Sequence, residues 1–225
     1  MTSDYFWISV AVVVGSYLVG SFPSAMLIGK LVAGVDLRKH GTGNLGASNL
    51  TSQVNAIWAT PVIIFDIFAK GSLPVLVASD LVLGLGVGVQ AAAALAGITG
   101  HNWSIFSGFK GGRGMATMVG ATLALNFPVL IAYGIVPSLG VLYTPWKDSA
   151  VWWFISLLIL PIWAVLLNLP FELVCFAFLF LLVTSAKRIA SNSLRGKNGE
   201  ITARLLATRL VFDRDILNRE EWIEQ

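Results

Sequence analysis

Charge is scarce in this chain. Only 12% of its 225 residues are Asp, Glu, Lys or Arg, about half the share of an ordinary soluble domain. With 56% apolar residues and a mean hydropathy of +0.78, so little charge excludes a water-soluble globule and indicates an integral membrane protein. Cysteine is nearly absent as well. The lone Cys175, inside "LVCFAFLFLL", allows neither a disulfide framework nor a Cys-based metal site and reads as packing. His40 and His101 are the only histidines, and neither has an H-E-x-x-H or Cys partner, so no metal is expected. No Lys or Arg precedes Lys30 and Asp4 stands near the start, a pattern unlike a cleavable signal, so the first helix is expected to stay. The formal net charge of +3 is a modest surplus whose placement suggests topology rather than a nucleic-acid partner.

Long apolar runs fill the rest. A helix needs about 20 apolar residues to cross the hydrocarbon core, and the spacing predicts helices over about 5–28, 54–78 and 81–99. "NFP" at 126–128, "TPWKDS" at 144–149 and "NLP" at 168–170 divide the remainder into four more. The expected fold is therefore an all-α integral membrane protein of about seven transmembrane helices. With the N-terminus outside and the C-terminus cytoplasmic, inner loops hold Lys30, Arg38, Lys39, Lys110, Arg113 and Lys147, whereas outer segments hold Asp4, Asp80 and Glu172. That asymmetry is the one cytoplasmic loops show. A five-helix division with the same end orientations differs mainly in moving Lys147 outside. Residues 115–125 are too short to span at 1.5 Å per residue, so this fourth helix is expected to start earlier, near Gly111, or to be re-entrant. The division into regions is 1–186, transmembrane, and 187–225, a charged cytoplasmic tail. In that tail Leu205, Leu206, Leu210 and Val211 recur between arginines, as in an amphipathic surface helix.

In this topology the polar clusters fall on one side. "DLRKHGTGNLGASN", "GHNWSIFSGFKGGRG" and "WKDS" would all face the cytoplasm. Glycines such as Gly43, Gly46, Gly111 and Gly112 let successive backbone N–H groups point into one concavity, which suits phosphates. Thr42, Asn44, Ser48 and Asn49 add neutral hydrogen bonds, while Arg38, Lys110 and Arg113 add positive charge. The alternative is that such loops only make tight turns. "FKGGRG" is not a nucleotide-binding P-loop, because Met115 follows Gly114 where Lys-Ser or Lys-Thr is required. Neither histidine heads an H-x-x-x-x-D pair, since Leu45 and Phe106 stand five positions on, so no histidine base paired with a carboxylate is expected and His101 reads as a hydrogen-bonding loop residue. Asp66 and Lys70 lie four apart and can pair. Charges at membrane depth usually carry function, though a structural ion pair fits equally, and both are kept as supporting residues.

Taken together, "GSFPSAMLIGKLVAGVDLRKHGTGNLGASN", "DIFAKGSLP" and "GHNWSIFSGFKGGRGMAT" resemble the bacterial membrane glycerol-3-phosphate acyltransferases that use acyl phosphate. The shared patterns are G-S-x-P, G-[ST]-G-N-x-G-A-[ST]-N, D-x-x-K-G-x-x-P and G-H-x-x-x-x-F-x-x-F-K-G-G-[KR]-G-x-A-T, over about residues 20–117. The resemblance implies seven helices, a multi-pass protein of the bacterial cell (inner) membrane and an active site facing the cytoplasm. It implies transfer of a fatty acyl group from acyl phosphate to glycerol 3-phosphate, giving lysophosphatidic acid and phosphate in phospholipid synthesis. No cofactor and no metal are implied. Catalysis would be substrate-assisted, the donor phosphate taking the proton, so no catalytic side chain is named. By motif position Thr42, Asn44 and Ser48 would bind donor, Lys110 and Arg113 would hold phosphate charge, and Ser149 aligns loosely with a family serine.

The acceptor half departs from the family pattern. Ser52 stands where an arginine usually ends the first loop, and in "KRIASNSLRGKN" Lys187 and Ala190 replace His and Asn. Arg38, Ser149, Lys187 or Arg195 would supply acceptor contacts. Two other readings stay open at this point: an acyl-phosphate-using transferase with a different phosphorylated acceptor, and a non-catalytic membrane protein that binds lipid phosphates or transports an anion.

Overall fold

The computed structural model describes residues 3–191, 201–218 and 221. Those residues form helices and loops, with a single isolated bridge between Ser104 and Lys110. Among the described residues four stretches are long and apolar enough to cross a membrane: Ser3–Ala33, Ala56–Ala78, Ser149–Leu166 and Phe171–Ala190. Contacts group the chain into two compact units, Met1–Phe127 and Pro128–Gln225.

The first unit opens with α1 (Ser3–Gly20) and α2 (Ser24–Ala33). The apolar run predicts one helix over 5–28; the structure breaks it at Ser21–Pro23, because Pro23 has no N–H to continue the ladder and constrains Phe22 away from helical geometry. Gly34, at φ +68°, closes α2 in the left-handed conformation that ends many helices. A further difference is α3 (Ala47–Gln53), a short helix inside what reads as loop. Its position follows from three leucines. Leu37, Leu45 and Leu50 are buried in a cluster with Ala25, Ala59 and Val62, each leucine contributing roughly 1.5–3 kcal/mol, so the glycine-rich loop is anchored before and after its polar tip.

The second spanning stretch consists of α4 (Ala56–Phe65), a π-helical segment (Asp66–Ser72) and α5 (Leu73–Ala78). π-helical turns inside α-helices are frequent at functional sites. This one carries Asp66 and Lys70 into the interior. Three helices pack around it, α1, α6 (Gly86–Asn102) and α7 (Met115–Leu125). A Cβ on Gly120 of α7 would lie 1.8 Å from the Ile67 carbonyl oxygen, so only glycine permits this crossing, and Ser72 Oγ donates to the Gly120 carbonyl at 2.8 Å. Of the two expectations for this region, an early start near Gly111 does not hold: Gly114 at φ +72° caps the helix, which begins at Met115.

The second unit carries α8 (Phe127–Tyr143), which begins at the boundary, then α9 (Ser149–Leu166), α10 (Phe171–Ala190) and α11 (Ala203–Phe212). Its apolar contacts centre on Tyr133, whose ring lies 4.9 Å from that of Trp153 and 5.8 Å from that of Phe180. α10 continues through Lys187 and Arg188, which reads as the start of a charged tail but is buried. The reason is hydrogen bonding. Arg188 donates to the carbonyls of Leu210 (3.0 Å) and Ala150 (3.1 Å), joining α11 and α9 to the end of α10. Helix α11 falls where the leucine spacing predicts one, yet Arg209 on it is only 2% exposed, bonded to Asp215 at 2.6 Å and to the Ile189 carbonyl at 3.2 Å.

Candidate active site

The first glycine-rich loop, residues 34–46, is tied into a knot by one side chain. Asn49 is 2% exposed. Its Nδ2 donates to the carbonyls of Leu37, His40 and Asn44 at 3.2, 3.1 and 3.0 Å, and its Oδ1 accepts from the Thr42 N–H at 3.1 Å. Asn49, expected to face a ligand, uses its carboxamide to shape the loop from within. Gly41 and Gly43 adopt positive φ, +57° and +68°, a conformation glycine reaches without steric cost, and the Gly43 N–H donates to the His40 carbonyl at 3.2 Å. Thr42 and Asn44 are half-buried and Ser48 is exposed, so the neutral donors at the tip remain on the accessible side. Arg38 turns to Asp36, with Nε at 2.9 Å and Nη2 at 2.7 Å from the carboxylate. That guanidinium holds the Asp36 carboxyl well below the ordinary aspartate range.

The second loop begins at the end of α6. Trp103 to Gly114 fold back through a 3-10 turn at Ile105–Ser107, and the Gly112 N–H donates to the His101 carbonyl at 3.1 Å. A Cβ on Gly112 would stand 2.3 Å from His101 Nε2. Glycine is therefore required there, with the loop backbone lying against the imidazole. Lys110 is exposed and Arg113 half-buried. No carboxylate among the described residues forms an ion pair with Lys110.

The two loops meet. The Leu45 N–H donates to the Gly111 carbonyl at 3.3 Å, and Gly46 faces Gly112, where a Cβ would lie 3.8 Å from its Cα. Residues 42–46 and 110–113, more than sixty positions apart in sequence, thus share one wall, and a narrow crevice beneath them is lined by Leu45, Lys110, Gly111, Lys70 and His101.

Below the crevice lies a buried polar quartet. Lys70 Nζ is 2.7 Å from Asp66 Oδ1 and 3.0 Å from Ser24 Oγ, which donates to Asp66 Oδ1 at 2.9 Å. His101 Nδ1 lies 3.4 Å from Lys70 Nζ and 3.7 Å from Asp66 Oδ2. The pairing of Asp66 with Lys70 follows their spacing, and His101 stands beside that pair at a distance beyond hydrogen-bond reach of the carboxylate. Asp66 comes from the π-helical segment and His101 from α6, so no local spacing carries their approach. Ser24 also escapes a reading by motif; its one signal is that it immediately follows the G-S-x-P stretch. Because the charges are paired and hydrogen-bonded, the quartet is a tolerable interior arrangement that fixes His101 against Gly112.

The remaining candidates lie in the second unit. Ser149 opens α9 beside Asp148, whose side chain caps the helix by accepting the Ala150 N–H at 3.1 Å and pairs with Arg214 at 2.6 Å. Lys187 is 1% exposed in the last turn of α10. Arg195 lies outside the described residues.

The chain is similar to known proteins. The family model of glycerol-3-phosphate acyltransferase matches residues 10–196. Glycerol-3-phosphate acyltransferase 5 of Dehalococcoides mccartyi is 31% identical over 219 residues, covering 94% of this chain and 91% of that protein. The glycerol-3-phosphate acyltransferase of Shouchella clausii is 38% identical over 162 residues, covering 72% and 77%. The crystal structure of PlsY (YgiH), an integral membrane glycerol 3-phosphate acyltransferase, in its glycerol 3-phosphate form superposes with a TM-score of 0.71 at 26% identity, over 80% of this chain and 88% of that one.

Proposed function

This chain belongs to the glycerol-3-phosphate acyltransferase family, and we propose that it takes its fatty acyl group from acyl phosphate at the crevice between the two glycine-rich loops. It is a membrane enzyme of phospholipid synthesis that acylates glycerol 3-phosphate. The observation that carries the donor site is the Leu45–Gly111 hydrogen bond, which makes one surface of the positive-φ loop and the cation-bearing loop.

In this reading the side chains of Thr42, Asn44 and Ser48 bind the donor's phosphoryl oxygens. Lys110 and Arg113 balance its charge, and Asn49 keeps the loop in shape. The hydroxyl of glycerol 3-phosphate attacks the acyl carbon, an ester C–O bond forms, and the bond from that carbon to the phosphoryl oxygen breaks. Phosphate leaves with the electron pair and takes the hydroxyl proton, giving lysophosphatidic acid. No protein base is needed. The chain contributes positioning and neutralisation of the growing phosphate charge. Asp66 is a poor alternative base, because its Oδ1 already accepts from Ser24 and faces the Lys70 ammonium.

The topology we propose is seven spans with the N-terminus outside and the loops facing the cytoplasm of a bacterial inner membrane. It is supported by the asymmetry of Lys and Arg along the chain. The test uses purified protein with palmitoyl phosphate and glycerol 3-phosphate. Lysophosphatidic acid forming in proportion to released phosphate is expected, whereas transfer only from another acyl donor, or only to another polyol phosphate, overturns the reading. For the topology, an impermeant maleimide applied to whole cells of a Cys175→Ser background should label Asp80→Cys but not Lys39→Cys. The reverse pattern inverts the proposed orientation.

A further inference from the structure

Two hydroxyls among the residues lining the crevice have no hydrogen-bond partner in the protein. Ser21 is fully buried and Ser107 is 3% exposed. Neither Oγ has a hydrogen-bond partner, and both line the crevice with Lys110, Gly111, Lys70 and His101. Buried polar side chains without a partner are uncommon and costly, so two at one spot need a reason.

The backbone N–H at both positions is bonded. Ser21 lies in the break between α1 and α2; its N–H donates to the Tyr17 carbonyl at 2.8 Å, and its own carbonyl accepts from Ser104 Oγ. Ser107 ends the 3-10 turn, its N–H donating to the Ser104 carbonyl at 3.1 Å. The hydroxyls are left over. Behind Ser21 stands Gly100, where a Cβ would come within 3.0 Å of the Oγ, so that side of the hydroxyl is already closely occupied. The same Ser104 carbonyl is bonded by the Phe109 N–H at 2.8 Å, which sets Lys110 one residue further on.

The chemistry selects what these groups receive. A hydroxyl donates one hydrogen bond, an ammonium three, and a phosphoryl oxygen only accepts. The negative charge nearest the crevice, Asp66, is already paired with Lys70, so an anion entering beside Lys110 meets donors and positive charge. We propose that Ser21 and Ser107 are additional binding residues, whose hydroxyls donate to an oxygen of the donor's phosphoryl group and retain that group after it leaves as phosphate. The proposal rests on the acyl-phosphate reading of the same crevice and extends it to two residues outside the glycine-rich loop tips.

The experiment compares full-length wild type, Ser21→Ala, Ser107→Ala and the double variant in nanodiscs. Two readouts are taken: kinetics with palmitoyl phosphate and glycerol 3-phosphate, and the rise in Tm produced by inorganic phosphate. Each substitution should raise the KM for palmitoyl phosphate about tenfold, as for a lost hydrogen bond to a charged acceptor, and leave the KM for glycerol 3-phosphate nearly unchanged. The phosphate-induced rise in Tm should shrink in each single variant and vanish in the double one. Without phosphate, Tm should stay level or rise, because a methyl replaces an unsatisfied hydroxyl. A double variant with wild-type KM and phosphate response overturns the proposal. So does a lower Tm without phosphate alongside an unchanged phosphate response, which would assign the hydroxyls to structure. A wild-type protein inactive with palmitoyl phosphate breaks the donor reading separately, because the phosphate response is measured without turnover.

Discussion

Lys110, in the first unit, is exposed above the crevice and has no carboxylate paired with it among the described residues, while Arg209, in the second, is 2% exposed and clamped to Asp215 and the Ile189 carbonyl. Arg188 and Arg214 behave like Arg209: one joins α9, α10 and α11 through backbone carbonyls, the other bridges to Asp148. Equal formal charges thus do different work. Lys110 stands beside glycine backbone and unpartnered hydroxyls, where it can meet a ligand. In the second unit charge closes helix ends that would otherwise present bare carbonyls.

The contrast can be broken by removing charges one at a time. Asp66→Asn should have the largest effect, because it leaves the Lys70 ammonium buried without its counter-charge. About 3–5 kcal/mol of stability is expected to go, read as a fall in the unfolding midpoint; a change below about 1 kcal/mol, the value of an exposed pair, would mean that water reaches the quartet. Lys110→Ala should lower kcat/KM by about 10²–10³, the usual effect of losing one charge-stabilising group, with the unfolding midpoint unmoved. If stability falls along with activity, Lys110 belongs with the structural cations of the second unit. Arg214→Met should cost about 1–2 kcal/mol, less than Asp66→Asn, because its pair with Asp148 keeps 9% and 13% side-chain exposure. Its effect on the palmitoyl phosphate KM should be small, and a large one would draw the second unit's cations into donor binding.

The smallest effect is set by pH. Asp36 has a folded pKa below its ordinary value because Arg38 bonds the carboxylate. Its contribution is therefore present above the unfolded pKa and is lost as pH falls from there through the folded one. Asp36→Asn should therefore cost a little stability at neutral pH and progressively less below about pH 4, slightly flattening the acid side of the stability profile. An equal loss at pH 7 and pH 3 would remove ionisation from the account.

Much of the first unit was legible in its residues. The apolar runs, the glycine-rich loops and the Asp66–Lys70 spacing all express local rules. What escaped involved partners distant in sequence. Asn49 reads as a polar residue near a ligand because nothing local reveals four hydrogen bonds closing back on its own loop. His101 reads as a loop residue because Asp66 is 35 positions away on another helix. Ser107 looks like an ordinary small residue and Ser21 like one position of the G-S-x-P stretch, and only the tertiary structure shows that their hydroxyls lack partners. In the second unit, a run of Lys and Arg after an apolar helix reads as solvated tail. Hydrogen bonds to carbonyls 22 and 38 residues away draw Arg188 inside instead.

From its residues alone, then, this chain was bound to be helical and membrane-embedded, with turn-forming glycines gathered next to cations, because hydropathy, helix length and positive φ depend on each residue and its near neighbours. Which polar groups face one another was decided only by the tertiary structure. A hydrogen bond acts over about 3 Å, and the chain brings Leu45 to Gly111, or Ser24 to Lys70, within reach only after its helices have packed.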